Sequence, residues 1–100
     1  MQISVIERRG SVPEDVKQYA RDKASKLLRF YDRIQQIEVL FSNEAQHSTV
    51  EMIVTADHKL TFIGSEAHED AFAAVDLVSD KLKGQITRHK EKFRNRKHPE

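Results

Sequence analysis

The amino-acid sequence predicts an α+β fold: a four-stranded sheet with two helices packed on one of its faces, in the order β-α-β-β-β-α. Three observations predict it. Two segments, at about 13–30 and 69–93, repeat apolar residues at the helical period. Four shorter segments carry the apolar alternation of strands. Each helix has a single apolar stripe, which one sheet face can bury for both.

The first element, residues 2–7, alternates weakly, with Ile3 and Val5 on one side. Gly10-Ser11-Val12-Pro13 reads as a turn into a helix. Proline suits a first helical turn because the N–H it lacks would have no partner there. Glu14 and Asp15 suit the positive end of the helix dipole. The first helix is expected from about 13 to 30, with Val16, Ala20, Ala24, Leu27 and Tyr31 on one side. Ile37, Val39 and Phe41 mark a second strand over 37–41, and Ser42 to Gln46 a polar connection. Val50, Met52, Val54 and Ala56 alternate with Thr49, Glu51, Ile53 and Thr55 in a third strand. Residues 56–59 make a short hairpin turn, and 60–63 a fourth strand whose bend or end Gly64 marks. The second helix runs from about 69 to 93 or beyond, with Val75, Val78, Leu82, Ile86, His89 and Phe93 as its core stripe. Glu66, Glu69 and Asp70 stand at its start and basic residues at its end, as the dipole favours. A β-α-β connection places the first two strands parallel, and the last three form an antiparallel meander.

One hundred residues suffice for a single domain over 1–100 with a modest core. Residues from about 94 to 100 read as a basic, flexible tail. The absence of cysteine excludes disulfides, zinc–thiolate sites and thiol catalysis, and agrees with a cytoplasmic location. Met1-Gln2-Ile3-Ser4-Val5 lacks the layout of a signal peptide. No apolar run approaches the roughly 20 residues of a membrane span, so no membrane partner is expected.

The net charge is only +1, but its distribution is uneven. Residues 8–33 carry eight basic and four acidic side chains, residues 34–80 one basic and nine acidic, and residues 81–98 eight basic and one acidic. Lys81, Arg88 and Lys92 fall within roughly 40° of one another on a helix turning about 100° per residue. Lys83, Lys90 and Arg94 form a second row on the other flank of the core stripe. On the first helix Tyr19, Lys23, Lys26, Phe30 and Arg33 share a face, with Arg29 beside it. Lysine and arginine pair with phosphates and release counterions, and aromatic or guanidinium planes stack on exposed bases. A single basic helix face commonly does no more than keep a surface wet. Here both helices are biased alike and the strands oppositely, which points to a polyanionic partner. Tyr19 and Phe30 taken singly read as residues flanking the core.

Other chemistry finds little support. His47, His58, His68, His89 and His98 include no pair at the spacing of a helix-face metal site, and His89 reads as a semi-buried core residue. Glu14-Asp15 and Glu69-Asp70 are better explained as helix starts than as a catalytic acid and base. Gly10, Gly64 and Gly84 form no phosphate loop, and Ser42, Ser48 and Ser65 have no nucleophile-elbow context. No catalytic residue, metal, cofactor or small-molecule substrate is expected.

The segment His68-Glu69-Asp70-Ala71-Phe72-Ala73-Ala74-Val75-Asp76, continued by Asp80-Lys81-Leu82 and Gln85-Ile86-Thr87-Arg88-His89-Lys90, resembles the signature helix of the ribosome hibernation promoting factors. Lys26-Leu27-Leu28-Arg29-Phe30-Tyr31-Asp32-Arg33-Ile34 resembles that family's exit from its first helix. The resemblance covers nearly the whole chain and implies the same β-α-β-β-β-α order. It implies a bacterial or organellar factor that occupies the mRNA and tRNA channel of the small ribosomal subunit during starvation. By position, the family's rRNA-facing cations fall on Lys23, Lys26, Arg29, Lys81, Arg88 and Lys92. The family usually has arginine where this chain has Gly84. That departure removes a cation and costs about 1 kcal/mol of helix propensity against alanine. It leaves open whether binding weakens or Lys83 substitutes. The resemblance is to a short form, which would need a separate factor to pair ribosomes.

The expected activity is therefore non-enzymatic translation inhibition by a cytoplasmic protein, monomeric off the ribosome, that binds small-subunit rRNA. Its expected rRNA-binding residues are Lys23, Lys26, Arg29, Arg33, Lys81, Lys83, Arg88, Lys90 and Lys92. Two other readings stay open: a protein-interaction regulator that modulates a sigma factor, and a general double-stranded RNA binder, since a meander with helices on one face is similar to that domain.

Overall fold

The computed structural model describes residues 2–96, and side chains as far as Lys92. Its elements are β1 (Gln2–Arg9), α1 (Glu14–Phe30), β2 (Ile34–Asn43), β3 (Ser48–Ala56), a 3-10 turn (Asp57–Lys59), β4 (Thr61–His68) and α2 (Ala71–Arg96). The strands lie in the order β1-β2-β3-β4. β1 runs parallel to β2, and the other two pairings are antiparallel. This is the expected topology. The expected end of the core stripe at Phe93, the third member of the second basic row at Arg94, and the rest of the basic tail lie outside the described side chains.

Both helices cover one sheet face. Ile37, Val39 and Phe41 of β2, Val50, Met52 and Val54 of β3, and Phe62 of β4 point to that side and are buried. Val16, Ala20, Ala24 and Leu27 meet them from α1, and Ala74, Val75, Val78, Leu82 and Ile86 from α2. His89 follows at the half-buried end of the stripe, edge-on to Phe62 and Tyr31 at 5.8 and 6.3 Å between centroids. The opposite face carries Ile6 and Ile63, both exposed. There Arg8 is held 3.0 Å from Glu51.

Local contacts set the helix ends. Glu7 Oε2 accepts the Val12 N–H at 2.9 Å, with Lys17 Nζ 3.3 Å away, which ties the turn before α1 to the end of β1. Asp70 starts α2: its Oδ1 accepts the Phe72 N–H at 3.0 Å, satisfying one of the orphan donors of a first turn. The turn from β3 to β4 holds His58 and Lys59 at φ of 63° and 60°.

The strands run longer than expected: β1 continues past residue 7 to Arg9, and β2 starts at Ile34 instead of 37. Ser42 and Asn43 belong to β2, paired with Thr49 and Ser48, so the polar connection shrinks to residues 44–47, closed by the Glu44 N–H on the His47 carbonyl at 2.9 Å. Gly64 does not end the fourth strand. It pairs with Met52 in the middle of β4, which continues to His68. Its role is close approach: a Cβ there would stand 2.6 Å from Leu82 Cδ2 and 3.0 Å from Lys81 Cδ. Glycine lets α2 descend onto the sheet at that point.

Gly64→Val is therefore expected to destabilise the fold by about 1–3 kcal/mol through overpacking, read as a lower denaturant midpoint. Leu82→Ala, expected to cost about 2–5 kcal/mol alone, should cost measurably less in the Gly64→Val background, because it opens the space the valine needs.

Candidate nucleic-acid interface

The cations of α2 lie on two flanks, and packing sends those flanks to different neighbours. One row, Phe72, Asp76, Lys83 and Lys90, recurs at intervals of four, seven and seven residues and faces α1. At one end of the interhelical groove, Tyr19 meets Phe72 edge-on, with ring centroids 5.2 Å apart. The Tyr19 hydroxyl donates to Asp76 Oδ1 at 2.6 Å. Lys23 Nζ lies 3.2 Å from the same oxygen and 5.6 Å from the Tyr19 ring centroid. At the other end, Lys83 and Lys90 hold their ammonium groups 5.1 and 4.4 Å from the Phe30 ring centroid. Lys90 Nζ also donates to the Phe30 carbonyl at 3.3 Å. That carbonyl lacks an intrahelical partner and sits at the negative end of α1, so Lys90 caps the helix.

The other flank faces the sheet edge. Lys81 Nζ lies 2.6 Å from Glu66 Oε2 and donates to the Ser65 carbonyl at 3.2 Å. Gln85 donates to the Ile63 carbonyl at 2.9 Å. An edge strand presents bare carbonyls that invite pairing with another chain, and these two side chains cover a pair of them in β4. Further along, Arg88 and Lys92 line a shallow exposed recess with Gln85, His89 and Glu91. On α1, Lys26 and Arg29 line another with Tyr19, Asp22, Lys23 and Ser25.

The sequence placed Arg33 on the first-helix face, and the structure removes it. Tyr31 turns extended at φ −140°, the helical phase is lost, and Arg33 stands 3.9 Å from Asp57 in the turn after β3. Among the described residues, Lys26, Arg29, Lys83, Arg88 and Lys92 have no carboxylate partner, whereas Lys23, Arg33 and Lys81 do. The sequence pattern assigns no binding role to Asp76 or Gln85. Asp76 could be singled out: it stands seven residues before Lys83 and fourteen before Lys90, in the same row.

Gly84 lies on the solvent side of α2, where a Cβ would meet only Arg88 Nη1, at 3.8 Å. Lys83, about 100° round the helix from Gly84, is turned to Phe30, and Arg88 reaches back one turn toward the glycine.

Electrostatics follow the contacts. The hydrogen bond from Tyr19, and then Lys23, hold the Asp76 carboxyl below the usual aspartate range. The same carboxylate raises Tyr19 and Lys23 above their ordinary values. Glu7 is lowered by the Val12 N–H and by Lys17.

A basic helix layer on a four-stranded sheet, with no described helix long and apolar enough to cross a membrane, defines a class of small α+β domains built around one charged face. The family described as Sigma 54 modulation protein / S30EA ribosomal protein matches residues 3–94, and the chain belongs to it. A ribosome hibernation promoting factor of Azotobacter vinelandii is 33% identical over 92 residues, spanning 92% of this chain and 85% of that protein. One from Escherichia coli K12 is 30% identical over 99 residues, spanning 94% and 98%. Two solved structures share the fold. A ribosomal subunit interface protein from Coxiella burnetii superposes with a TM-score of 0.81 at 20% identity, covering 91% of this chain and 99% of that one. The Protein Y N-terminal domain of Thermus thermophilus gives 0.76 at 24%, covering 89% and 99%.

Two outcomes are expected. A carboxylate whose folded pKa is depressed adds stability at pH values above its unfolded pKa, and this is lost as pH falls through the folded value. Thermal melts from pH 7 down through about 4 and below should thus show wild type losing more stability than Asp76→Asn. Gly84→Ala should raise unfolding free energy by about 1 kcal/mol, measured by urea titration, because nothing near the new methyl must move.

Proposed function

We propose that this protein is a cytoplasmic ribosome hibernation factor: one ribosome-binding domain that binds small-subunit rRNA in the channel of mRNA and of the aminoacyl- and peptidyl-site tRNAs. The observation that carries the reading is the group of exposed cations on the helix layer, Lys26 and Arg29 on α1 and Lys83, Arg88 and Lys92 on α2, none with a carboxylate partner among the described residues. Family membership supplies the ribosome as the polyanion.

The mechanism is steric and electrostatic. Exposed ammonium and guanidinium groups replace condensed counterions on rRNA phosphates, and the bulk of the sheet then excludes mRNA and tRNA. Lys83 and Lys90, held against Phe30, reach the same surface with less freedom to lose. Lys23, Lys81 and Arg33 join only by giving up a carboxylate partner, so they contribute less. No bond is made or broken, and the protein needs no cofactor or small-molecule substrate. It acts as a monomer.

Lys26, Arg29, Arg88 and Lys92 changed together to glutamate should abolish co-sedimentation with small subunits. Single reversals should each flatten the salt dependence of binding by about 0.7–0.9 in log–log slope. Wild-type binding by the quadruple variant, with an intact thermal transition, would discard the surface.

A further inference from the structure

We propose that Tyr19 Oη and Lys23 Nζ form an oxyanion site in the interhelical groove, that Asp76 occupies it in the free protein, and that an RNA phosphate competes with Asp76 for it. The proposal rests on the helix layer being the RNA-binding face. The two donors come from successive turns of α1 and converge on one oxygen, Asp76 Oδ1, at 2.6 and 3.2 Å. A hydroxyl and an ammonium on one anionic oxygen is also the contact they would offer a non-bridging phosphate oxygen.

Tyr19 has a support apart from Asp76. Tyr19 packs edge-on against Phe72, with centroids 5.2 Å apart and planes at 72°. Lys23 lies 5.6 Å from the Tyr19 ring centroid, with its side chain 27% exposed. Asp76 is the more exposed partner, at 46%, and a short side chain on α2 can turn to solvent while the pair on α1 stays. Lys26 and Arg29, lining the same recess, would hold the neighbouring phosphates of a bound strand.

The consequence is a brake on binding. While Asp76 neutralises it, Lys23 releases less than one counterion when RNA arrives, and arbitrary polyanions gain less from the groove than its lysine count suggests. An RNA whose phosphate sits at the site can displace the carboxylate; one that passes over it must approach a fixed negative charge. Asp76 thus favours RNA of the right shape over RNA in general.

The test is binding of purified small ribosomal subunits across a fourfold salt range by wild type, Asp76→Asn, Lys23→Ala and the double variant. Asparagine keeps an acceptor for Tyr19 but no charge. Asp76→Asn should bind more tightly at low salt and lose about threefold more affinity than wild type over that range, one additional counterion. Lys23→Ala should cost more in the Asp76→Asn background than in wild type. Asp80→Asn, which removes a charge felt by Lys23 and neither contact, controls for general electrostatics and should alter the Lys23 effect less than Asp76→Asn does. Weaker binding by Asp76→Asn, or equal Lys23→Ala effects in both backgrounds, would overturn the proposal and leave Asp76 as a structural tie. A second readout needs no ribosome: inorganic phosphate titrated into each protein, followed by NMR shifts of Tyr19 and Lys23. Saturation at lower phosphate in Asp76→Asn supports the site even if wild type fails to bind ribosomes, which would refute the functional reading alone. Identical titrations refute the site.

Discussion

The structure depends on one constraint: a single sheet face must bury the apolar stripes of both helices. Burial of that face, from Ile37, Val39 and Phe41 across to Phe62, fixes how each helix is rolled about its axis. Once α2 points Val75, Val78, Leu82 and Ile86 at the sheet, its flanks are assigned. One must face α1, the other must face the β4 edge, and only the remainder meets solvent. Gly64 lets that contact close, because any Cβ there would meet Leu82.

Charge follows from this geometry. Lys83 and Lys90 on the α1 side of α2 meet the Phe30 ring, and Lys23 of α1 meets the Asp76 carboxylate. Lys81 on the other side covers the β4 edge with Gln85. A lysine used this way guards against edge pairing at the expense of availability to a polyanion. Among the described residues of the helix layer, Lys26, Arg29, Arg88 and Lys92 are left with neither a carboxylate nor a ring against them. A basic surface counted from sequence therefore overstates the charge that a partner meets, and the difference is carried by Asp76, Glu66 and Asp57.

Much of the fold was legible in the sequence because its signals are local. The two-residue alternation of Val50, Met52 and Val54 and the helical spacing of Val16, Ala20, Ala24 and Leu27 report burial directly. The signals that failed were those with a second cause. Gly64 reads as a strand bend or end because glycine lacks β propensity, but a close-packed helix is an equally good reason for glycine, and only the position of Leu82 distinguishes them. Arg33 fits the helical spacing of Lys23 and Lys26, yet Tyr31 has already left the helix. No side chain between Phe30 and Arg33 announces the break.

By itself the sequence determined the element order, the buried faces and the presence of two basic helices, since each is written in periodicity and charge along one segment. It also carried the second-helix pattern that tied the chain to its family. Only the tertiary structure decided which basic residues are free. That depends on residues 53, 24 and 15 positions apart, as for Lys23 with Asp76, Arg33 with Asp57, and Lys81 with Glu66. Contacts of that range arise from how the helices lie on the sheet, and no local pattern encodes them.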